Sequence, residues 1–206
     1  VNRQLRDKRT ETIVINQQQT RLAMNKHKPI RIAIASGKGG TGKTTVSVNL
    51  FHFIQKHWTD KVQLLDCDVE EPNGMLFFPE AELTSEKIVT QLIPEIDLEK
   101  CTFCRKCVEY CEFNAIVVIP TVGFAEVNAS LCHSCGACSV ACEFDAITEK
   151  PKQIGLIKSF SSTHPNNLLE GSLEIGSAMQ TYVIKDLKLE ADNDKNILLF
   201  DSPPGT

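Results

Sequence analysis

The chain has 206 residues, 42% of them hydrophobic, which is enough for a globular core. No apolar run approaches the ~20 residues needed to cross a bilayer, so a soluble protein is expected. The formal charge of −4 is unevenly placed, with +5 on residues 1–28 and −9 on the remainder.

Residues 1–28 are basic and polar, with Gln17, Gln18 and Gln19, and read as a flexible extension. They lack the apolar stretch of a signal peptide. An unstructured tail is the preferred reading over a contact with nucleic acid or acidic lipid. The first strand is expected at 29–35 (PIRIAIA), followed by the glycine-rich loop 36–45 (SGKGGTGKTT). Val46, Leu50, Phe53, Ile54 and His57 then recur at three- and four-residue steps, which predicts an amphipathic helix. A second strand, 61–65 (KVQLL), runs into Asp66, Cys67 and Asp68. A short helix is expected over 84–94 and a cysteine-rich module over 97–150. A strand is expected at 153–160, a hairpin with turn glycines at 168–176 and a helix at 177–189. Asp192, Asn193 and Asp194 break that helix before a buried strand at 197–200 (ILLF), which ends at Asp201.

Gly37-x4-Gly42-Lys43-Thr44 is the Walker A arrangement. Its glycines let successive backbone N–H groups turn toward phosphate oxygens. Gly37, Lys38, Gly39, Gly40, Thr41, Gly42, Lys43, Thr44 and Thr45 form the expected phosphate site. Lys43 would reach the β- and γ-phosphates of ATP, and the Thr44 hydroxyl would bind Mg²⁺. The helix that follows points its N-terminus at the same place. The plainer alternatives are a glycine-rich turn without nucleotide and, for Asp66 and Asp68, turn or capping carboxylates. Cys67 reads as a small residue packed at a strand end, and His133 as a solvent-facing loop residue.

The cysteine module is written twice. Cys101, Cys104, Cys107 and Cys111 recur 31 residues later as Cys132, Cys135, Cys138 and Cys142. Two C-x2-C-x2-C-x3-C runs are the bacterial ferredoxin pattern and imply two [4Fe–4S] clusters, with the fourth cysteine of each run serving the other cluster. Cys101, Cys104, Cys107 and Cys142 are assigned to one cluster, and Cys132, Cys135, Cys138 and Cys111 to the second. A zinc site would use only four ligands. A disulfide framework would need an oxidising compartment. Both fit less well. Glu112 and Glu143 stand where proline usually follows the fourth cysteine, and two added carboxylates should lower the reduction potentials.

The string GKGGTGKTT, with Lys38 early in the loop, resembles the deviant Walker A of the MinD/ParA/Mrp ATPases and the nitrogenase iron protein. The layout resembles the subgroup with an inserted ferredoxin domain. The resemblance implies an α/β fold: an incomplete doubly wound parallel P-loop sheet over 29–96 and 151–206, interrupted by an α+β ferredoxin domain at 97–150. It implies an ATP-dependent homodimer in which Lys38 reaches the partner's nucleotide. Lys38, Lys43 and Asp68 would be catalytic, with Asp68 orienting water. Asp66 would lie near the Mg²⁺ shell, Asp201 would hold a water on Mg²⁺, and Gly205 would sense the γ-phosphate. Because 206 residues end soon after Asp201, the chain is expected to be a fragment or half of a split gene. The leading functional expectation is a cytoplasmic ATPase whose nucleotide state gates electron transfer to an unidentified donor or acceptor protein. The alternatives are a cluster carrier or assembly ATPase and a redox-sensing regulatory ATPase.

Overall fold

A computed structural model describes residues 28–162, 164–165 and 167–205. The basic extension expected at 1–28 therefore lies, apart from Lys28, outside the described residues. In chain order the main elements are β1 (Ile30–Ile34), α1 (Lys43–His57), β2 (Val62–Asp66), β3 (Glu82–Ile96), α2 (Lys106–Glu109), β4 (Ile116–Ile119), β5 (Phe124–Val127), α3 (Ala137–Ala141), β6 (Ile147–Ser161), β7 (Leu168–Leu173), α4 (Gln180–Leu189) and β8 (Ile197–Asp201).

Six strands form one sheet in the order β1-β8-β2-β7-β6-β3. The first four are parallel, while β6 and β3 run antiparallel to their neighbours. The sheet is thus mixed and mostly parallel, which corrects the expectation of a purely parallel one. Its central strands β2 and β8 are buried at every position, as strands covered on both faces should be. On one face α1 packs Val48, Phe51 and Ile54 against Val62, Leu64, Leu168 and Leu199. On the other, α4 packs Val183 and Leu187 against Leu65, Leu169 and Leu198. Each such side chain, fully buried, contributes roughly 1.5–3 kcal/mol.

Helix α1 sits where the sequence places it, but it turns a different face inward. Ser47, Val48, Phe51 and Ile54 are buried, whereas Val46 and Phe53 are more than half exposed. The face is set by the buried Lys43 and Ser47, which must point at the sheet's carboxyl edge.

Two expectations are overturned. Residues 84–94 are extended within β3, because β3 pairs with β6 from Glu82↔Ser161 to Ile96↔Ile147. The apolar pairs Val89, Leu92 and Ile93 mimic a helical repeat, yet a partner strand some 65 residues away decides the outcome. The expected hairpin at 168–176 is a single strand, β7, inserted between β2 and β6. Gly171 is no turn residue: a Cβ there would stand 2.8 Å from Val69 Cγ1 and 3.2 Å from Leu187 Cδ2.

The β3–β6 pair is the largest departure from a simple layered domain. Each strand has 15 residues, roughly 50 Å at ~3.3 Å per residue. Only 155–160 of β6 also pair with β7, so the outer part of the ribbon projects beyond the sheet. Pro94 and Pro151 lie in that outer part, where a missing N–H costs no second ladder bond. Lys87 anchors the ribbon to α4 through Glu190 Oε1 at 2.6 Å and Asp186 Oδ2 at 3.9 Å. The cysteine-rich segment closes the outer end, with β4 and β5 as a small antiparallel pair and α2 and α3 as single turns.

Candidate functional site

Two separate places bring the predicted residues together. The first lies at the carboxyl edge of the parallel strands, where ligands of open α/β sheets bind. A cleft of about 550 Å³ is lined by Gly39, Gly40, Thr41, Gly42, Lys43, Thr44 and Thr45, with Asp68, Glu70, Glu71, Asn73, Leu76, Phe77 and Pro204 opposite. Gly40 (φ 68) and Gly42 (φ 86) take left-handed backbone that favours glycine. A Cβ at Gly37, Gly39, Gly40 or Gly42 would meet only open space, so the loop leaves a free cradle. The Ser36 hydroxyl, 2.8 Å from Lys38 O and 2.7 Å from Thr41 Oγ1, ties the base of the loop. Lys38 is exposed at the rim, whereas Lys43 is buried beneath the loop.

Asp201 ends β8, bonded to Ser47 of α1, and is 2% exposed. Its Oδ1 lies 3.0 Å from the Ser47 hydroxyl, while its Oδ2 has no hydrogen-bond partner among the described residues. An orphaned buried carboxylate oxygen beside a phosphate cradle suits a hydrated divalent cation. Ser47 is a site residue that sequence reasoning missed. Its position four residues after Lys43, on the same helical face, was the available signal.

Asp66 and Asp68 do different things. Asp68 lines the cleft, and burial raises its carboxyl above the usual range against the pull of Lys43. Asp66 accepts three backbone N–H groups: Asp68 at 3.1 Å, Asn73 at 3.1 Å and Gly74 at 2.7 Å. Burial pushes Asp66 up to about 6, opposed by the Gly74 and Asp68 bonds and assisted by Asp201 and Glu170 nearby. Asp66 therefore folds the segment 68–74 around itself and presents Asp68 to the cleft. Gly205 donates its N–H to Ser36 O at 2.9 Å, holding the segment after β8 against the start of the phosphate loop. Cys67 is buried behind this site, where burial raises its thiol to about 12.

The second place is the outer end of the ribbon, where two cavities are lined by four cysteines each. Cys101, Cys104, Cys107 and Cys142 line one. Cys111, Cys132, Cys135 and Cys138 line the other. The 31-residue offset governs backbone as well as sequence. Left-handed Phe103, Arg105 and Asn114 are matched by Ser134, Gly136 and Asp145. The N–H of Phe103 and that of Ser134 each donate to a sulfur, Cys101 Sγ and Cys132 Sγ, at 3.4 Å. The halves are also interlocked, since Asp97 N–H donates to Ala146 O and Asn128 N–H to Ala115 O.

Among the described residues no three Cys, His, Asp or Glu side chains form a preassembled metal-binding group, and all nine cysteines are free thiols. The donor set nevertheless suits a thiophilic cluster: four sulfurs per cavity with backbone N–H groups aimed at some of them. Burial raises the Cys107, Cys132 and Cys138 thiols above their ordinary range, so thiolates there need nearby positive charge, which iron would provide. His133 is half-buried and stacks on Phe113 at 3.7 Å and 15°, which corrects the expectation of a solvent-facing loop residue. Glu143 is paired with Lys106 at 2.5 Å, so much of its expected influence on potential is neutralised locally.

No helix among the described residues is long and apolar enough to cross a membrane. Residues 32–197 match the CobQ/CobB/MinD/ParA nucleotide binding domain. An uncharacterized protein of Methanocaldococcus jannaschii, MJ0578, is 37% identical over 177 residues, covering 85% of this chain and 60% of the relative. An uncharacterized ATP-binding protein of the same organism, MJ0547, is 57% identical over 44 residues, 21% of this chain and 16% of its own length. The chain thus spans about 60% of the length of the longer-matching relative. With the phosphate cradle, the buried Asp201 and a match over most of its length, the chain belongs to the CobQ/CobB/MinD/ParA nucleotide-binding family of P-loop domains.

Proposed function

We propose that the chain is an ATP-binding iron–sulfur protein in which nucleotide state gates electron transfer through two [4Fe–4S] clusters. The observation that carries this reading is the β3–β6 ribbon: one pair of strands is both part of the nucleotide-binding sheet and the support of the cysteine cavities. Cys101, Cys104, Cys107 and Cys142 would hold one cluster, and Cys111, Cys132, Cys135 and Cys138 the other. Each bound cluster supplies a one-electron donor or acceptor.

On the nucleotide side, Lys43 and the N–H groups of the 37–45 loop bind the phosphates. Thr44 and Asp201 hold Mg²⁺ and its water, with Ser47 fixing the Asp201 carboxylate. Asp68 orients the attacking water, and Asp66 shapes the segment that carries it. Lys38, exposed at the rim, reaches a second subunit's nucleotide in an ATP-dependent homodimer. Entry of the γ-phosphate frees Gly205 N–H from Ser36 O, so the segment after β8 changes place with nucleotide state. An external redox protein meets the cysteine module where Cys104 and Cys135 are exposed.

The test is anoxic reconstitution with iron and sulfide, followed by measurement of reduction potential with and without Mg·ATP. A nucleotide-dependent shift in potential or in electron-transfer rate is expected. Colourless, iron-free or zinc-containing protein would overturn the iron–sulfur assignment. A brown protein with no nucleotide response would overturn the gating.

A further inference from the structure

In-register pairing sets five ionisable residues side by side across the sheet. Asp201 pairs with Asp66, Asp66 with Glu170, Glu170 with Lys158, and Lys158 with Glu86. Residues aligned in one row of a sheet project to the same face. Here that is the α1 face, because Leu199, Leu64, Leu168 and Phe160, two positions away on the same strands, pack with α1. At ~4.8 Å between strands the row covers roughly 19 Å, from the carboxyl end of β8 to the edge strand of the ribbon.

The sign pattern along the row is uneven. Three carboxylates stand together at the phosphate end, and Lys158 is the row's one cation. Asp66 feels both Asp201 and Glu170, and half-buried Glu170 feels Lys158. Glu170 is thereby shared between two demands: repulsion from the cleft and attraction from the ribbon.

We propose that Glu170 and Lys158 are positioning residues that carry the charge state of the Mg·nucleotide site across the sheet to the ribbon, a role that rests on the reading of Asp201 as the Mg²⁺ anchor. With positive charge at the Asp201 end, Glu170 is drawn toward β2 and loosens its hold on Lys158. Lys158 then turns to Glu86 and tightens the β3–β6 pair. The coupling is reciprocal, so charge at the ribbon end alters Mg²⁺ affinity at the other.

The experiment titrates Mg²⁺ into the full chain with a fluorescent ATP analogue. Glu170→Gln removes an attractive charge roughly 10 Å from the cation and should weaken apparent Mg²⁺ affinity about fivefold. Lys158→Met removes a repulsive charge and should tighten it about threefold, whereas Lys158→Arg should leave it unchanged. Glu86→Gln, exposed on the edge strand, should produce a smaller weakening without disturbing the core. Mg·nucleotide should also slow amide exchange in 84–93 of the wild type and fail to do so in Lys158→Met. Shifts of one sign in both Glu170→Gln and Lys158→Met, or no shift in Glu86→Gln and Lys158→Met, would overturn the proposal. A wild type that binds nucleotide without needing Mg²⁺ would instead overturn the Asp201 reading, and this inference with it.

Discussion

Replacing Gly74 with alanine would place a methyl carbon 2.8 Å from Asp66 Oδ2, closer than real Cβ atoms approach. The carboxylate cannot retreat freely, because it is buried and already receives N–H groups from Asp68, Asn73 and Gly74. Relief must come from lengthening the Asn73 and Gly74 bonds, each a hydrogen bond to a charged group worth about 1.5–3 kcal/mol. Partial relaxation leaves an expected loss of about 2–4 kcal/mol. For a chain of this size each kcal/mol lowers Tm by about 2–4 °C, so a fall of roughly 4–16 °C is expected. The assay is thermal and urea unfolding in Mg²⁺-free buffer. Gly176→Ala is the control: its φ is +81 but a Cβ would meet nothing within 4 Å, so only about 1 kcal/mol should be lost. Nucleotide affinity should fall for Gly74→Ala alone, since Asn73 and Leu76 line the cleft. A Gly74→Ala protein melting within about 2 °C of wild type, or no lower than Gly176→Ala, would refute the reasoning.

Three further predictions concern the same residues and the cysteine module. The Asp66 carboxyl is raised in the fold from 3.8 to about 6, so the folded chain binds the proton more tightly than the unfolded one. That contribution is complete below about pH 4 and is lost as pH rises through 6; unfolding free energy from urea melts should climb between pH 7.5 and 4.5, by about 2 kcal/mol from this group. Asp66→Asn should flatten the climb, and equal slopes in both proteins would contradict it. Ser47→Ala removes the hydroxyl 3.0 Å from Asp201 Oδ1 and should cost about 1–3 kcal/mol in urea melts, together with weaker Mg²⁺-dependent nucleotide binding; unchanged melts and binding would remove Ser47 from the site. Finally, Cys142→Ser and Cys101→Ser should leave the same residual cluster signature by electron paramagnetic resonance, and Cys111→Ser the opposite one. Signatures that sort by position along the chain would overturn the crossed assignment.

How much of this was legible in the sequence depends on whether the determinant is local. Strands at 29–35, 61–65 and 197–200 were readable because short isoleucine- and leucine-rich runs stop at residues that leave the sheet. They appear as β1, β2 and β8 within a residue or so. The phosphate loop was readable because it is contiguous, and the two sets of four cysteines expected from the doubled spacing are the sets that line the two cavities. The ribbon was not readable. Residues 84–94 hold Val89, Leu92 and Ile93 at steps compatible with a helix, and only pairing with 147–161 makes them extended. The inward face of α1 was misjudged because Lys43 and Ser47, polar by composition, are buried for the sake of the site. The resemblance gave Asp66 and Asp68 different roles, Asp66 near the Mg²⁺ shell and Asp68 orienting water, but it did not show that Asp66 spends its oxygens on backbone N–H groups. What separates them is which one the backbone of 73–74 closes upon, a tertiary fact with no local trace.

The ribbon has a mechanical consequence for how the cysteine module meets the outside world. A domain strung on a single flexible tether can sweep a volume and search for its reaction partner. Two strands laced together by hydrogen bonds resist that swing and transmit torque instead. The tip therefore holds a set bearing relative to the phosphate cleft, and anything that docks on it must come in one orientation. A single proteolytic nick in either strand would leave the tip attached, and release would require both strands to be cut.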